Sequence, residues 1–198
     1  MTAQLTELPL FPLNTVLFPG GRLPLRIFET RYMDMAKACL RDGTPFGVCL
    51  IVQGQEVGEP AIPAPVGTLA RIVQWDMPQL GLLHVVAEGT QRFRIQSRRV
   101  QANGLALATV QVLAEEQDAP IAREGERCVR LLERLIGEQP ELFPAPHRLD
   151  SSAWVSARLL ELLPVPLAAK QELLELDEAA ARLARISRLL RANAQSDS

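Results

Sequence analysis

Leu23, Leu25 and Ile27 alternate with Arg22, Pro24 and Arg26, a period-two pattern that predicts a strand with one buried face. Upstream, Leu8 to Leu13 is apolar on both faces. Pro9, Pro12 and Pro24 have no N–H for a ladder, so both stretches are expected at sheet edges or bulges, with Pro19-Gly20-Gly21 turning between them. A helix follows, with Thr30 as N-cap, Tyr32, Ala36, Cys39 and Leu40 on one stripe, and Gly43 at its end. Phe46 to Val52 is apolar throughout, as a central strand covered on both faces would be. Gln53 to Pro65, with Gly54, Gly58, Pro60, Pro63 and Pro65, reads as a loop. Strands are then expected at Gly67 to Trp75, Leu80 to Glu88, Gln91 to Val100 and Leu105 to Leu113, with hairpin turns at Gly89-Thr90 and Asn103-Gly104.

After Pro120 the hydrophobic period changes from two to nearly four. Cys128, Leu132, Leu135 and Ile136 form one stripe, and Ser151 or Ser152 caps a helix carrying Trp154, Val155, Leu159, Leu162 and Leu163. Pro166 to Leu176 predicts a third helix of this part and Asp177 caps a fourth, while the last few residues read as disordered. The pattern is α+β: a partly open antiparallel β-barrel with one helix over residues 1–118, then an α-helical bundle over 119–198.

Composition narrows the chemistry. Of 198 residues, 47% are hydrophobic and 22% charged, which suits a globular chain with a sizeable core. Ten basic and eleven acidic residues precede Pro120, and eleven basic and twelve acidic follow it, so neither part has the basic excess that a polyanion partner demands. The apolar start is broken by prolines and lacks a basic leader, so neither a signal peptide nor a membrane span is expected. Cys39, Cys49 and Cys128 lack disulfide or zinc spacing, which points to a reducing cytoplasm.

Three separated motifs carry a family resemblance. Leu8-Pro9-Leu10-Phe11-Pro12-Leu13, then Phe18-Pro19-Gly20, then Leu23-Pro24-Leu25 resembles the amino-terminal substrate-recognition (LON) domain of the Lon protease family. Thr68 to Gln74 and Val85 to Ile95 look like two further strands of that domain. The resemblance implies a barrel of the pseudouridine-synthase-and-archaeosine-transglycosylase (PUA) type. It also implies a role in capturing unfolded or degron-bearing polypeptide, as an adaptor for a protease or chaperone.

No catalytic residue, cofactor or metal ligand is expected. A Gly-x-x-x-x-Gly-Lys loop, a His-Glu-x-x-His pair and a Gly-x-Ser-x-Gly elbow are all absent, as are the ATPase and Ser-Lys peptidase parts of a full Lon protease. His84 lies on a strand and His147 in a loop far from it in sequence, and Cys128 faces a helix stripe. The candidate polypeptide-binding residues are apolar ones at turns: Phe18 and Pro19, and the Trp75 to Leu80 segment with Trp75, Met77, Pro78 and Leu80. Phe18 can equally be an inward plug, and Trp75 half-buried. Two alternatives stand beside this reading: RNA binding through a stripe of Arg92, Arg94 and Arg98 on one strand face, and an enzyme of unrecognised type. The stripe has no aromatic platform beside it, and no motif names a client or an oligomeric state.

Overall fold

The Leu8 to Leu13 run explains the arrangement of the strands. In the computed structural model, which describes the backbone of residues 3–196 and the side chains of residues 3–192, this run is the end of β1 (Gln4–Leu13). The disordered end read from the sequence concerns residues at or beyond that limit. The described residues divide after Glu115 into two compact units. In the first, a seven-stranded sheet is built from β1, β2 (Arg22–Ile27), β3 (Phe46–Gln53), β4 (Ile62–Pro63), β5 (Val66–Gln79), β6 (Leu82–Val100) and β7 (Ala106–Val112). Helix α1 (Thr30–Asp42) lies between β2 and β3 in the chain.

Strand β1 is not an edge strand, one of the two places its prolines suggested, but it does carry the other, an irregularity in its pairing with β7 between Leu5 and Leu8. Its first part pairs antiparallel with β7, and Leu10 to Leu13 pair with Gly47 to Leu50 of β3. The β1–β3 pair is parallel, which corrects the expectation of a wholly antiparallel sheet. Its crossover is supplied by β2 and α1, as a parallel pair requires. Pairing therefore runs in a closed circuit, β1 to β7 to β6 to β5 to β3 and back to β1. It is not a clean barrel, because β2 and β4 lie outside the circuit. The Gln53 to Pro65 loop is interrupted by β4, which pairs with β3.

Core packing follows the two-faced strands. Tyr32, Met33, Met35, Ala36 and Cys39 of α1 are buried with Phe11, Phe46, Val48, Leu83 and Val85, and the Phe11 and Tyr32 rings stack at 4.1 Å between centroids. A second cluster joins Leu8, Leu10, Cys49, Phe93 and Val110. Helix α1 ends on Gly43 in the left-handed conformation, at φ 64°, as expected. Thr30 is its first residue and Glu29 takes the cap position without a side-chain bond, because Glu29 is ion-paired to Arg31 at 2.9 Å.

Gly89-Thr90 is not a hairpin. Strand β6 runs through both residues without a break, 19 residues long. The Gly89 N–H donates to the Gly21 carbonyl and its own carbonyl accepts from the Gly20 N–H. A Cβ at Gly89 would be 2.6 Å from the Phe18 carbonyl oxygen, so the glycine marks a close backbone approach, the other meaning of glycine inside a strand. Asn103-Gly104 does turn the chain, with Gly104 at φ 82° and the Asn103 side chain accepting from the Leu105 N–H.

The second unit, from Glu116, is helical: α2 (Glu126–Glu138), α3 (Ser152–Leu162), α4 (Leu167–Leu174) and α5 (Ala179–Ser196). Ser151 caps α3, its hydroxyl accepting from the Trp154 N–H at 3.0 Å and donating to Asp118 at 2.6 Å. Burial alone would raise the Asp118 pKa, but hydrogen bonds from Ser151, Ala153 and Ala119, with the Arg148 charge, hold it below the usual carboxylate range. Arg182, fully buried, is paired to Glu116 and donates to the Ser156 hydroxyl at 2.8 Å. The architecture of the described residues is thus mixed α/β, an antiparallel sheet for the most part with five α-helices.

Candidate functional site

Strand β5 continues past Trp75, where the sequence suggested a loop. Asp76 pairs with His84 and Gln79 with Leu82, and the register shifts between them, so Met77 and Pro78 form a bulge. A proline is tolerated there because a bulged residue has no ladder bond to make. Leu80-Gly81 then turns the hairpin, with Gly81 at φ 84° supplying a backbone conformation that side-chain-bearing residues rarely adopt. The outcome is a three-stranded ribbon in which the first half of β6 pairs with β5 on one side and β2 on the other.

Its tip is apolar and open to solvent. Leu80 is 97% exposed, Trp75 59%, Val73 45% and Met77 38%, and Pro78 is exposed beside them. Trp75 pairs with the buried Val85 but lies beyond the side chains that cover the inner ribbon, so it is more exposed than the half-buried position expected of it. A concavity of about 610 Å³ is lined by Pro24 to Arg26, Gln74 to Asp76 and His84 to Val86. Across it Arg26, His84 and Asp76 stand in register on three neighbouring strands. The His84 Nε2 is buried with no hydrogen-bond partner among the described residues. The site offers apolar contact from the tip and polar groups from the ribbon behind it. None of these is a nucleophile placed beside a base.

Phe18, proposed from the sequence as a binding residue, is fully buried, and this is a correction. The Leu17 carbonyl beside it accepts from the buried Thr68 hydroxyl at 2.6 Å, which pins this turn inward. Pro19 is half-buried. The turn meets β6 at Gly89, whereas the tip is opposite Leu82 to Val85, so the structure does not bring Phe18 and Pro19 together with Trp75, Met77, Pro78 and Leu80. The part of the opening stretch that does reach the ribbon is β2. Pro24, Arg26, Gln74 and His84 were missed as candidates, although their outward places in alternating strands were a readable signal.

The arginine stripe does not form either. Arg92 is 3% exposed, while Arg94 and Arg98 are exposed. A register shift between Ile95 and Ser97 breaks the period-two alternation along the strand, and Arg98 is drawn to the Ala61 carbonyl at 3.4 Å. All three cysteines are unbridged and buried, and burial pushes the Cys49 thiol up to about 12, too high for a thiolate nucleophile near neutral pH. Among the described residues no cluster of His, Cys, Asp and Glu has the makings of a metal site, and no helix is long and apolar enough to cross a membrane.

The sequence model of the ATP-dependent protease La (LON) substrate-binding domain matches residues 7–192. Among solved structures, a Lon N-terminal domain protein from Xanthomonas campestris superposes with a TM-score of 0.77 at 38% identity, covering 92% of this chain and 97% of that one. The N-terminal domain of the Mycobacterium avium complex Lon protease superposes with a TM-score of 0.65 over 91% of this chain and 95% of its own, at 18% identity, which bears on the fold alone. The Lon protease of Anaeromyxobacter dehalogenans is 29% identical over 192 residues, 92% of this chain and 23% of that protein. Cereblon of Danio rerio is 30% identical over 113 residues, 55% of this chain and 26% of its own length. The chain thus spans under a quarter of the Anaeromyxobacter protease.

Proposed function

The chain belongs to the family of the ATP-dependent protease La (LON) substrate-binding domain, and from that premise we propose that it is a non-catalytic module that captures unfolded or degron-bearing polypeptide. We read its closed strand circuit, with β2 and β4 outside it, as a PUA-like barrel rather than the partly open one expected, and the helical part from about residue 119 as a bundle. The observation that carries the functional reading is the exposed tip: Trp75, Met77, Pro78 and Leu80 present solvent-exposed apolar surface on one hairpin. Burying one such side chain on a client contributes about 1.5 to 3 kcal/mol without sequence-specific hydrogen bonds. Two or three together hold an unfolded segment reversibly.

Delivery to a protease or chaperone is the use this binding suits, since the matches to Lon proteases cover only the substrate-binding portion. Buried, unbridged cysteines fit a reducing cytoplasm. RNA binding is disfavoured, because the buried Arg92 and the register shift beyond Ile95 leave no continuous basic stripe. The test is a binding titration with a reduced, carboxymethylated protein that cannot refold. Met77→Asp with Leu80→Asp is expected to weaken binding at least tenfold, about 1.4 kcal/mol, with the fold intact. Unchanged affinity in a folded double variant removes the tip from the site.

A further inference from the structure

We propose that the outer edge of β2 accepts the main chain of an extended polypeptide as an added strand, an inference that rests on the polypeptide-binding reading and names what part of the client is read. Strand β2 pairs with β6 over its whole length, Arg22 opposite Glu88 through Ile27 opposite Leu83. No strand pairs with its other side among the described residues. Alternate residues of β2 therefore turn their N–H and C=O groups away from β6 with no ladder to join. Pro24 removes one donor, and an edge is where a strand tolerates a proline.

The shape of the neighbouring groove supports the same conclusion. A concavity of about 330 Å³ is lined by all six residues from Leu23 to Phe28 in succession. The groove therefore runs along the length of β2, the strand whose other side has no ladder partner among the described residues. The groove also takes in Phe11, Leu13, Tyr32 and Val57, so an added strand meets apolar side chains along with the backbone.

Charge selects the occupant further. Glu29 is ion-paired with Arg31, while Glu56 accepts from the Asn14 N–H at 2.6 Å and keeps its negative charge, so an acidic group in the occupant is favoured only beside Arg26. Arg26 lines both this groove and the larger one beside Trp75, and has no ion pair among the described residues. The occupant is an extended, unpaired segment with an acidic side chain beside Arg26. Main-chain pairing is indifferent to most side chains yet refuses a chain whose amides are already bonded, so it separates unfolded clients from folded ones.

The test uses the whole chain and a labelled peptide of alternating Val and Thr carrying one Glu, with derivatives N-methylated at each position in turn. Methylation at alternate positions is expected to weaken binding about tenfold, and at the intervening positions less than about twofold, since only every second amide faces β2. Replacing the peptide's Glu by Gln should weaken binding of the parent protein and leave that of Arg26→Gln unchanged. If the peptide binds with no alternation along the methylation series, the edge proposal is overturned and client binding through the tip survives. If the peptide fails while the reduced, carboxymethylated protein binds, the edge proposal alone is again overturned. Failure of both probes overturns the polypeptide-binding reading and this inference with it.

Discussion

From Val66 to Ala70, β5 buries every side chain, whereas from Gln74 to Gln79 the same strand, still paired with β6, exposes every one. Strand pairing is the same device in both halves. What differs is the covering: the inner half is packed under Phe93, Leu10 and Cys49 in one cluster and the α1 residues in the other, while the outer half has only its neighbours in the ribbon. Apolar residues in the inner half are therefore core, and Trp75 and Met77 in the outer half are surface, as is Val73 just before it. An apolar residue in a strand says little about burial until a second layer is identified over it.

The largest expected effect belongs to the inner half. Phe93→Ala, at a fully buried ring, should cost about 3 to 5 kcal/mol in urea unfolding monitored by circular dichroism. A loss below about 1 kcal/mol would mean the inner ribbon is not the packed half. Gly89→Ala comes next, at roughly 1 to 3 kcal/mol, because its Cβ would press on the Phe18 carbonyl where the chain crosses β6. A neutral result there would show that the crossing is loose enough to let Phe18 out. Smallest is the tip: Met77→Asp with Leu80→Asp should change stability by no more than about 0.5 kcal/mol per site while weakening client binding. A collapse of stability would make the outer half part of the core after all.

Much of this contrast was legible in the amino-acid order. Phe46 to Leu50 was readable as a two-faced central strand, though Val52 at the end of the same apolar run is exposed, and the cap of α3 was readable as Ser151 or Ser152, because both depend on local pattern. The partner of β1 was not readable: its parallel pairing with β3 is a long-range choice that the residues between them do not encode. Gly89 was misread because glycine in a strand signals either a turn or a close approach, and the approaching Phe18 is remote in sequence. The exposed tip at Met77, Pro78 and Leu80 was legible from turn residues. Phe18 was not, since inward and outward turns share the same composition.

Amide hydrogen exchange of the full chain, with and without a reduced, carboxymethylated client, tests the central claim that the outer ribbon holds unfolded polypeptide. The account predicts client-dependent protection over β2 and from Trp75 to Val86, with the inner half of β5 already protected and unchanged. Protection that appears only around Arg94 and Arg98 or in the helical unit, with Trp75 to Val86 exchanging as in the free protein, would contradict it.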